Sequence, residues 1–187
     1  MTEKEKAARG LLYDANFDKE IVEDRLRAKD LLYKYNLLPP TRTEERKELL
    51  KSFLGKIGDN FIFEQPFHCD YGYNIEIGEN FFANMNLVIL DGAKVTIGDN
   101  VFIAPNVGIY TAGHPLDVKQ RTAGLEYAYL ITIGNNVWIG GHVVILPGVT
   151  IGDNAVIGAG SVVTKDIPSD SVAVGNPCRV VKTIDNS

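Results

Sequence analysis

The chain has 187 residues, 45 % of them hydrophobic, which is the size and composition of one globular domain or of one domain with an appendage. Its formal net charge of −5 argues against nucleic acid or an anionic membrane surface as the main partner. The charged start, MTEKEKAARG, lacks the apolar core of a signal peptide, and no stretch approaches the ~20 apolar residues of a membrane span. We therefore expect a cytoplasmic protein.

Residues 1–55 predict a helical cap. Thr2 and Glu5 have the spacing of a capping box that opens a short helix. An amphipathic helix is expected from Asp18 to Tyr35, and a further helix is expected to stop at Gly55. Helices placed before a solenoid would cover its open end, whose strand edges otherwise pair with other chains.

A six-residue repeat dominates the second half of the chain. It is marked by an unbroken aliphatic series: Ile133, Ile139, Ile145, Ile151, Ile157 and Val163. This period matches neither the ~3.6 residues of a helical turn nor an ordinary hairpin. It fits a solenoid in which each hexapeptide is one short strand plus a corner, and three hexapeptides form one triangular coil.

The register continues backwards through Ile57, Ile77 and Ile97, which are 20 residues apart, against 18 residues between Ile133 and Ile151. Two extra residues can bulge at one corner without disturbing the inward-facing series. The pattern therefore predicts a mainly β protein with a parallel β-helix of about five coils.

An insertion interrupts the repeat between Ile109 and Ile133, which are 24 residues apart. We expect one extruded loop at about residues 113–130, and a long loop on a regular scaffold is more often functional than decorative. The β-helix is predicted to span residues 56–169, and residues 170–187 are predicted to close its far end.

Among the three histidines, His114 is the strongest candidate for a catalytic base. It stands in TAGHP, where a coil gives way to the loop, so that a rigid coil can hold its backbone while the loop covers a substrate. His142 lies inside the regular repeat and is expected to face outwards. His68 can line a pocket but has no loop beside it.

Metal binding is the competing use of histidine, but nothing marks a third ligand beside His114 and His142, so no metal site is predicted. Cys69 and Cys178 are far apart and are not spaced as a metal knuckle. We expect both cysteines to be small core residues in a reducing compartment.

Six stretches carry a family resemblance: EKEKAARGLLYD, RLRAKDLLYKYN, CDYGYNIEIGENFFANMN, IGDNVFIAPNVGIYTAGHPLD, ITIGNNVWIGGHVVILPGVTIGDNAVIGAGSVVTKDIP and GNPCRVV. Together they resemble the hexapeptide-repeat sugar O-acetyltransferases, and they are more similar to the maltose than to the galactoside enzymes. The hexads alone indicate an acyltransferase-like solenoid, whereas FFANMN, the HP loop and the N-terminal helices indicate the sugar branch.

The resemblance implies a left-handed β-helix, a homotrimer with active sites between subunits, and acetyl-CoA as co-substrate with no metal in catalysis. The left hand does not follow from the hexad period. The implied catalytic residues are His114 as the base and Asn84 as the group that assists the transition state. The implied acceptor-binding residues are Asp14, Asp70, Asn84, Gly92 and Glu126. The implied acetyl-CoA contacts are Gly141, Ala159, Thr164, Lys165, Arg179 and Lys182.

Three positions depart from the galactoside pattern. Asp70 is a carboxylate where that subgroup has a hydroxyl, and Lys182 is a point charge in place of a planar guanidinium. Gly92 has no side chain to hydrogen-bond a sugar, and we expect the neighbouring Asp91 to take over that contact. These departures concern the identity of the sugar rather than the class of reaction.

The chemistry predicted from these residues is direct attack without a covalent intermediate. A neutral His114 accepts the proton as a sugar hydroxyl attacks the thioester, which typically contributes ~10²–10⁴-fold. We expect a backbone N–H near Gly141 to donate to the oxyanion. Asn84 orients the hydroxyl or stabilises the tetrahedral intermediate, unless it merely satisfies a coil corner.

Structural alternatives stand beside the other assignments. Asp14 precedes a helix and can simply cap it, and Asp70 and Glu126 can be exposed carboxylates. The cations near the C-terminal end either bind the phosphates of a nucleotide or are ordinary surface charges.

The predicted function is O-acetylation of a small sugar, glucose or maltose, at the primary 6-hydroxyl. The alternatives are acetylation of another small acceptor (a galactoside, an antibiotic or serine), a non-catalytic solenoid scaffold and, more distantly, a metal-dependent hydratase. A scaffold has no need of the combination of His114, Asn84 and Lys165.

Overall fold

The structure is a computed structural model that describes residues 1–186, and its centre is a parallel β-solenoid with three faces. The first face contains Lys56–Ile57, Ile75–Ile77, Val95–Ile97, Ile131–Ile133 and Thr150–Ile151. The second contains Phe61–Phe63, Phe81–Ala83, Phe102–Ile103, Trp138–Ile139, Val156–Ile157 and Ser171–Val174. The third contains Phe67–Cys69, Leu87–Leu90, Gly108–Tyr110, Val144–Ile145 and Val162–Val163. The mainly β, parallel solenoid class is confirmed, and the left hand stays a prediction.

The inward-facing side chains are those that the six-residue period predicts. Each of the following is at most 1 % exposed: Ile133, Ile139, Ile145, Ile151, Ile157 and Val163. Equivalent residues of successive coils pair in register, as Ile133 does with Ile97 and Ile151. Because burying one such side chain stabilises by about 1.5–3 kcal/mol, these columns hold each coil on the next.

Asparagines form a ladder at the corner between the first and second faces. Each Nδ2 donates to the Oδ1 of the asparagine in the next coil at 2.6–3.0 Å, along Asn60, Asn80, Asn100, Asn136 and Asn154. The last four have φ between 55° and 60°, a left-handed conformation that asparagine tolerates better than most residues. The ladder explains why Asn recurs at this corner with the period of the coil.

The solenoid has about six coils, one more than the hexads predict. Ser171–Val174 pairs in parallel with Val156–Ile157, and Ile167 bridges to Ile151, so a further coil begins where a closing segment was expected. Ile167 follows Ile151 by 16 residues rather than 18, so the six-residue period does not reveal the last coil. Arg179–Thr183 then folds back antiparallel on Ser171–Val174.

Three helices precede the solenoid: Glu3–Ala8, Lys19–Leu37 and Thr43–Phe53. The second and third cover the first coil, whereas the first packs on the strands Tyr13–Asp14 and Leu125–Ala128. Thr2 and Glu5 make the predicted capping box, and Asp18 caps the second helix by accepting the N–H of Ile21. The second and third helices bury Leu32, Tyr35, Leu50 and Phe53 in the same core as the phenylalanines of the first coil. The second and third helices therefore cover the end of the core, and the division of the chain at residue 55 stays a prediction.

The insertion leaves the solenoid at Ala112–Gly113 and contains the short helix Val118–Thr122 and the strand Leu125–Ala128. Leu125–Ala128 is the middle of a three-stranded antiparallel sheet, between Ala112–Gly113 and Tyr13–Asp14. The extruded loop is thus tied to the N-terminal cap, a connection that the sequence pattern did not predict.

Within residues 1–186, no helix has the length and apolarity to cross a membrane. The same residues contain no group of three or more His, Cys, Asp or Glu side chains that could hold a metal ion. Cys69 and Cys178 are free and buried in the core, as expected.

Candidate active site

The three-stranded sheet brings predicted site residues together at one corner of the solenoid. Tyr13 pairs directly with Glu126, and Gly113 pairs with Tyr127 on the other edge, which places His114 beside Glu126. We call the group made by Tyr13, Asp70, Gly92, His114 and Glu126 the loop corner.

His114 is held through one ring nitrogen. Nδ1 lies 2.9 Å from the carbonyl oxygen of Leu125, and the side chain is 49 % exposed. A carbonyl can only accept, so Nδ1 carries the proton of the neutral imidazole and Nε2 keeps the lone pair. Nε2 therefore has the protonation state that a general base needs, and Oε1 of Glu126 lies 3.9 Å from it.

The Glu126 carboxylate has a second partner on its other oxygen. Oε2 accepts a hydrogen bond from the Tyr13 hydroxyl at 3.2 Å. A Cβ added at Gly92 would lie 2.9 Å from that hydroxyl oxygen. The space that a side chain at position 92 would occupy is thus taken by Tyr13.

Asp70 lies at the edge of the loop corner in an unusual electrostatic environment. Burial, the nearby charge of Asp91 and, less strongly, that of Glu126 raise the pKa of Asp70 to about 6, against partial opposition from Arg25. Its side chain also lines a cavity of about 500 Å³ between the second helix and the third face, together with Lys29 and His68. A carboxylate so placed can accept hydrogen bonds from a polyhydroxy ligand.

Asp91 does not replace a sugar contact at position 92, and that expectation is wrong. It is 0 % exposed, and its carboxylate accepts the backbone N–H groups of Asp70, Tyr71 and Gly72 at 2.7–3.0 Å. Burial raises the pKa of Asp91, and these N–H groups oppose that rise. Asp91 therefore shapes the turn that carries Asp70 instead of facing a ligand.

Asp14 is engaged within its own turn. Its Oδ1 accepts the N–H groups of Asn16 and Phe17 at 3.1 and 2.8 Å, and its own N–H donates to Glu3. The helix that follows is capped by Asp18, not by Asp14. Asp14 is adjacent to the loop corner through Tyr13, and its role in acceptor binding stays a prediction.

Asn84 lies at a different corner, between the second and third faces. Its Oδ1 accepts the N–H of Met85 at 2.8 Å, so it does satisfy a coil corner. Its Nδ2 has no hydrogen-bond partner within residues 1–186 and is free to donate. The side chain borders an apolar hollow of about 500 Å³ with the exposed rings of Phe102 and Trp138.

One chain does not bring Asn84 and His114 together. Asn84 precedes the third-face strand Leu87–Leu90, whereas His114 follows the neighbouring third-face strand Gly108–Tyr110. The two side chains thus lie at opposite ends of adjacent strands.

The predicted acetyl-CoA contacts divide in the same way. Gly141 and Ala159 lie on the Asn84 corner in successive coils, and the N–H of Gly160 donates to the carbonyl of Gly141 at 2.8 Å. Thr164 and Lys165 follow the third-face strand Val162–Val163 and lie on the same side as His114. Arg179 and Lys182 are exposed on the last strand, at the C-terminal end of the second face.

The other two histidines are exposed, His142 as expected. His142 takes the corner position of Asn106 one coil later, with φ of 59°, and its Nε2 lies 3.4 Å from Asn106 Nδ2. His68 faces outwards from the third face. Neither has a carboxylate within ion-pair distance in the described chain.

Tyr13 is a site residue that the sequence pattern does not predict. The LLYD motif is visible, but the partner of Tyr13 is 113 residues away, and no local pattern links them. Only a predicted pairing between strands at residues 13–14 and 125–128 would have placed Tyr13 beside Glu126.

Both ends of the chain match known families. Residues 6–58 match the maltose acetyltransferase hexapeptide capping motif, and residues 131–165 match the bacterial transferase hexapeptide with its six repeats. The galactoside O-acetyltransferase of Escherichia coli (strain K12) is 52 % identical over 164 residues, 88 % of this chain and 81 % of that protein.

Solved structures agree over the whole length. A maltose O-acetyltransferase from Clostridium difficile 630 has a TM-score of 0.97 and 54 % identity, covering 100 % of this chain and 99 % of that chain. A hexapeptide-repeat acetyltransferase from Vibrio cholerae O1 biovar eltor, complexed with acetyl coenzyme A, has a TM-score of 0.91 and 40 % identity, covering 100 % of both chains. This chain therefore belongs to the hexapeptide-repeat acetyltransferases, a family of acyltransferase enzymes.

Proposed function

We propose that the protein transfers the acetyl group of acetyl-CoA to a hydroxyl of a small sugar such as maltose or glucose, at the primary 6-hydroxyl. The observation that carries the proposal is His114, whose Nδ1 is held by the Leu125 carbonyl so that Nε2 presents a lone pair beside the Glu126 carboxylate. A hydroxyl placed at Nε2 loses its proton as its oxygen attacks, and a second hydroxyl of the same sugar can donate to Glu126.

The transfer needs no covalent enzyme intermediate. The acceptor oxygen forms a bond to the thioester carbonyl carbon while its proton passes to His114 Nε2. The carbon–sulfur bond then breaks, and the imidazolium returns the proton to the thiolate of coenzyme A. Holding the two reactants in line supplies much of the rate, and the base contributes ~10²–10⁴-fold.

The free amide of Asn84 suits the negative charge that develops on the carbonyl oxygen. With Oδ1 engaged by Met85, Nδ2 is the group that remains to donate. The backbone N–H of Gly141 lies on the same corner two coils further along, so it is a second donor on this side of the proposed cleft rather than a partner for the same oxygen.

The separation of Asn84 from His114 supports a site completed between copies of the chain. We infer a homotrimer in which the Asn84 corner of one subunit faces the loop corner of the next. The second face carries an outward apolar column on the Asn84 side, which a neighbouring subunit would cover: Ile62, Phe82, Phe102 and Trp138. The division of the predicted acetyl-CoA contacts between the two corners fits a ligand that lies in the cleft between subunits.

The acceptor side is suited to a polyhydroxy molecule. Asp70 and Glu126 face the same corner and interact electrostatically. Carboxylates accept hydrogen bonds from sugar hydroxyls, and Arg179, Lys182 and Lys165 supply positive charge for the phosphates of acetyl-CoA. We place this chemistry in the cytoplasm, where the two buried thiols stay reduced.

Thiol release from acetyl-CoA tests the proposal. Wild-type protein is assayed with glucose, maltose, a galactoside and no acceptor, and coenzyme A binding is measured by calorimetry. We expect sugar-dependent release that is fastest with maltose or glucose. If the protein binds coenzyme A but none of these sugars stimulates thiol release, the proposed acceptor is refuted. If the folded protein does not bind coenzyme A, the result supports the non-catalytic scaffold instead.

A further inference from the structure

Tyr13 is buried where the N-terminal cap meets the loop. Its side chain is 1 % exposed, and its hydroxyl lies 3.2 Å from Glu126 Oε2. Burial and the charge of Glu126 raise the pKa of the Tyr13 phenol, so the hydroxyl stays protonated and acts as the donor. Oε2 of Glu126 is therefore engaged, and Oε1 is the oxygen turned towards His114.

Gly92 provides the space for this hydroxyl. A Cβ there would lie 2.9 Å from the Tyr13 oxygen and 3.3 Å from the Cβ of Ala128. Gly92 does not adopt a left-handed φ, so the backbone alone would accept alanine. Position 92 is glycine because any Cβ there would collide with the Tyr13 hydroxyl, and the buried Tyr13 side chain has little room to move away.

We propose that Tyr13 is a positioning residue for acetyl transfer: its hydroxyl fixes the Glu126 carboxylate beside the base nitrogen of His114, in space that Gly92 leaves open. The proposal rests on the proposed function, because it takes His114 as the base. Glu126 so held can bind a second acceptor hydroxyl and stabilise the imidazolium that forms as the first hydroxyl gives up its proton. The acceptor class that follows is a molecule with two hydroxyl groups close together, not a simple alcohol.

The pair Tyr13→Phe and Tyr35→Phe tests the role of the hydroxyl. Tyr35 is equally buried at 1 % exposure, and its hydroxyl donates to the Phe63 carbonyl at 2.9 Å, away from the loop corner. We expect Tyr13→Phe to lower kcat about tenfold with the KM for acetyl-CoA unchanged, since a hydrogen bond to a charged group is lost. Tyr35→Phe loses a buried hydrogen bond of similar kind and keeps its kcat. Equal kcat losses in the two variants would overturn the proposal.

Double variants show whether Tyr13 acts through Glu126. If it does, Tyr13→Phe lowers kcat no further once Glu126→Ala has removed the acceptor, whereas multiplied losses would overturn the proposal. Gly92→Ala should lower kcat in the wild-type background and have a smaller effect with Tyr13→Phe, because phenylalanine lacks the oxygen that the new Cβ meets most closely, although the contact with Ala128 remains. An equal effect of Gly92→Ala in both backgrounds would contradict the spatial role of the hydroxyl.

A readout without substrate separates this proposal from the proposed function. The protein has three histidines, so the ring nitrogen resonances of His114 can be assigned in an NMR spectrum as those that disappear in His114→Asn. Tyr13→Phe should shift the His114 resonances and leave His68 and His142 unchanged, and Tyr35→Phe should shift none. Unchanged His114 resonances in Tyr13→Phe would overturn the positioning role even in an active enzyme. Shifted resonances in a protein that acetylates no acceptor would refute the proposed function alone.

Discussion

The regular coils and the loop corner hold their side chains in place by different means. In a coil, each inward residue packs on the equivalent residues of the coils before and after it, as Ile133 does on Ile97 and Ile151. At the loop corner, Tyr13, Glu126 and His114 come from an N-terminal strand, a returning strand and the edge of a coil. The repeated part therefore supplies rigidity, and the part that interrupts the repeat carries the site that we propose for the chemistry.

The largest effect is expected at the site that the proposed trimer would form from the Asn84 corner and the loop corner. Asn84→Ala and His114→Asn should each lower activity by ~10²-fold or more. Co-assembly of the two inactive variants should restore activity, because about one site in three of a cyclic trimer that contains both variants draws an intact residue from each chain. The measurement is the specific activity of co-expressed, differently tagged variants after tandem purification. Activity no higher than that of either variant would contradict a site shared between subunits.

A change inside a coil should lower stability strongly and activity only slightly. Ile139 is 0 % exposed in the middle of the second face, so Ile139→Ala should lower the free energy of unfolding by about 2–5 kcal/mol. At a temperature where the variant remains folded, its kcat should stay within about twofold of wild type. Urea unfolding followed by circular dichroism measures the loss. Stability loss below about 1 kcal/mol would mean that the column is not the source of rigidity assumed here.

Asp91 joins the two regions, because it anchors the turn of Asp70 to a coil corner. Asp91→Ala leaves two buried and one partly buried N–H group without their acceptor, so it should lower the free energy of unfolding by about 2–3 kcal/mol and raise the KM for the acetyl acceptor. Asp99→Ala is the matched control, since Asp99 accepts the N–H of Glu79 on an exposed corner. We expect the control to lose less than about 1 kcal/mol in the same unfolding assay. Equal losses in the two variants would contradict the anchoring role.

The smallest effect concerns the charge of Asp70. Its pKa of about 6 lies above its ordinary value, so the folded state binds the proton more tightly than the unfolded state does. Stability is therefore expected to fall as pH rises from about 4 to above 6, and Asp70→Asn should remove that fall. At pH 8 the variant should be more stable than wild type by about 1–2 kcal/mol, while its KM for the acceptor rises. A difference in unfolding free energy that is the same at pH 4 and pH 8 would contradict the raised pKa.

The coils could be predicted because their pattern is local. The aliphatic column from Ile133 to Val163 can be identified in the sequence because equivalent positions in successive coils have the same surroundings and therefore the same type of side chain. The last coil escaped prediction because it is two residues shorter, which removed Ile167 from the count.

The loop corner could be predicted only in part. His114 was identified from its place beside the loop, but Tyr13 and the burial of Asp91 depend on contacts between distant segments that follow no period. The resemblance implies Glu126 and Gly92 as site residues, but it does not show that the Tyr13 hydroxyl connects the two positions. That link became visible only when the backbone placed Gly92 against the Tyr13 hydroxyl.

The most direct test of the account compares His114→Asn with His142→Asn. Both replace an exposed imidazole by the same amide, and asparagine already stands at the position equivalent to His142 one coil earlier, Asn106. Sugar-dependent thiol release and the Tm are measured for both variants. We expect His114→Asn to lose ~10²–10⁴-fold in rate at an unchanged Tm and His142→Asn to keep both the rate and the Tm. Sugar-dependent release that survives in His114→Asn at the wild-type rate would contradict it.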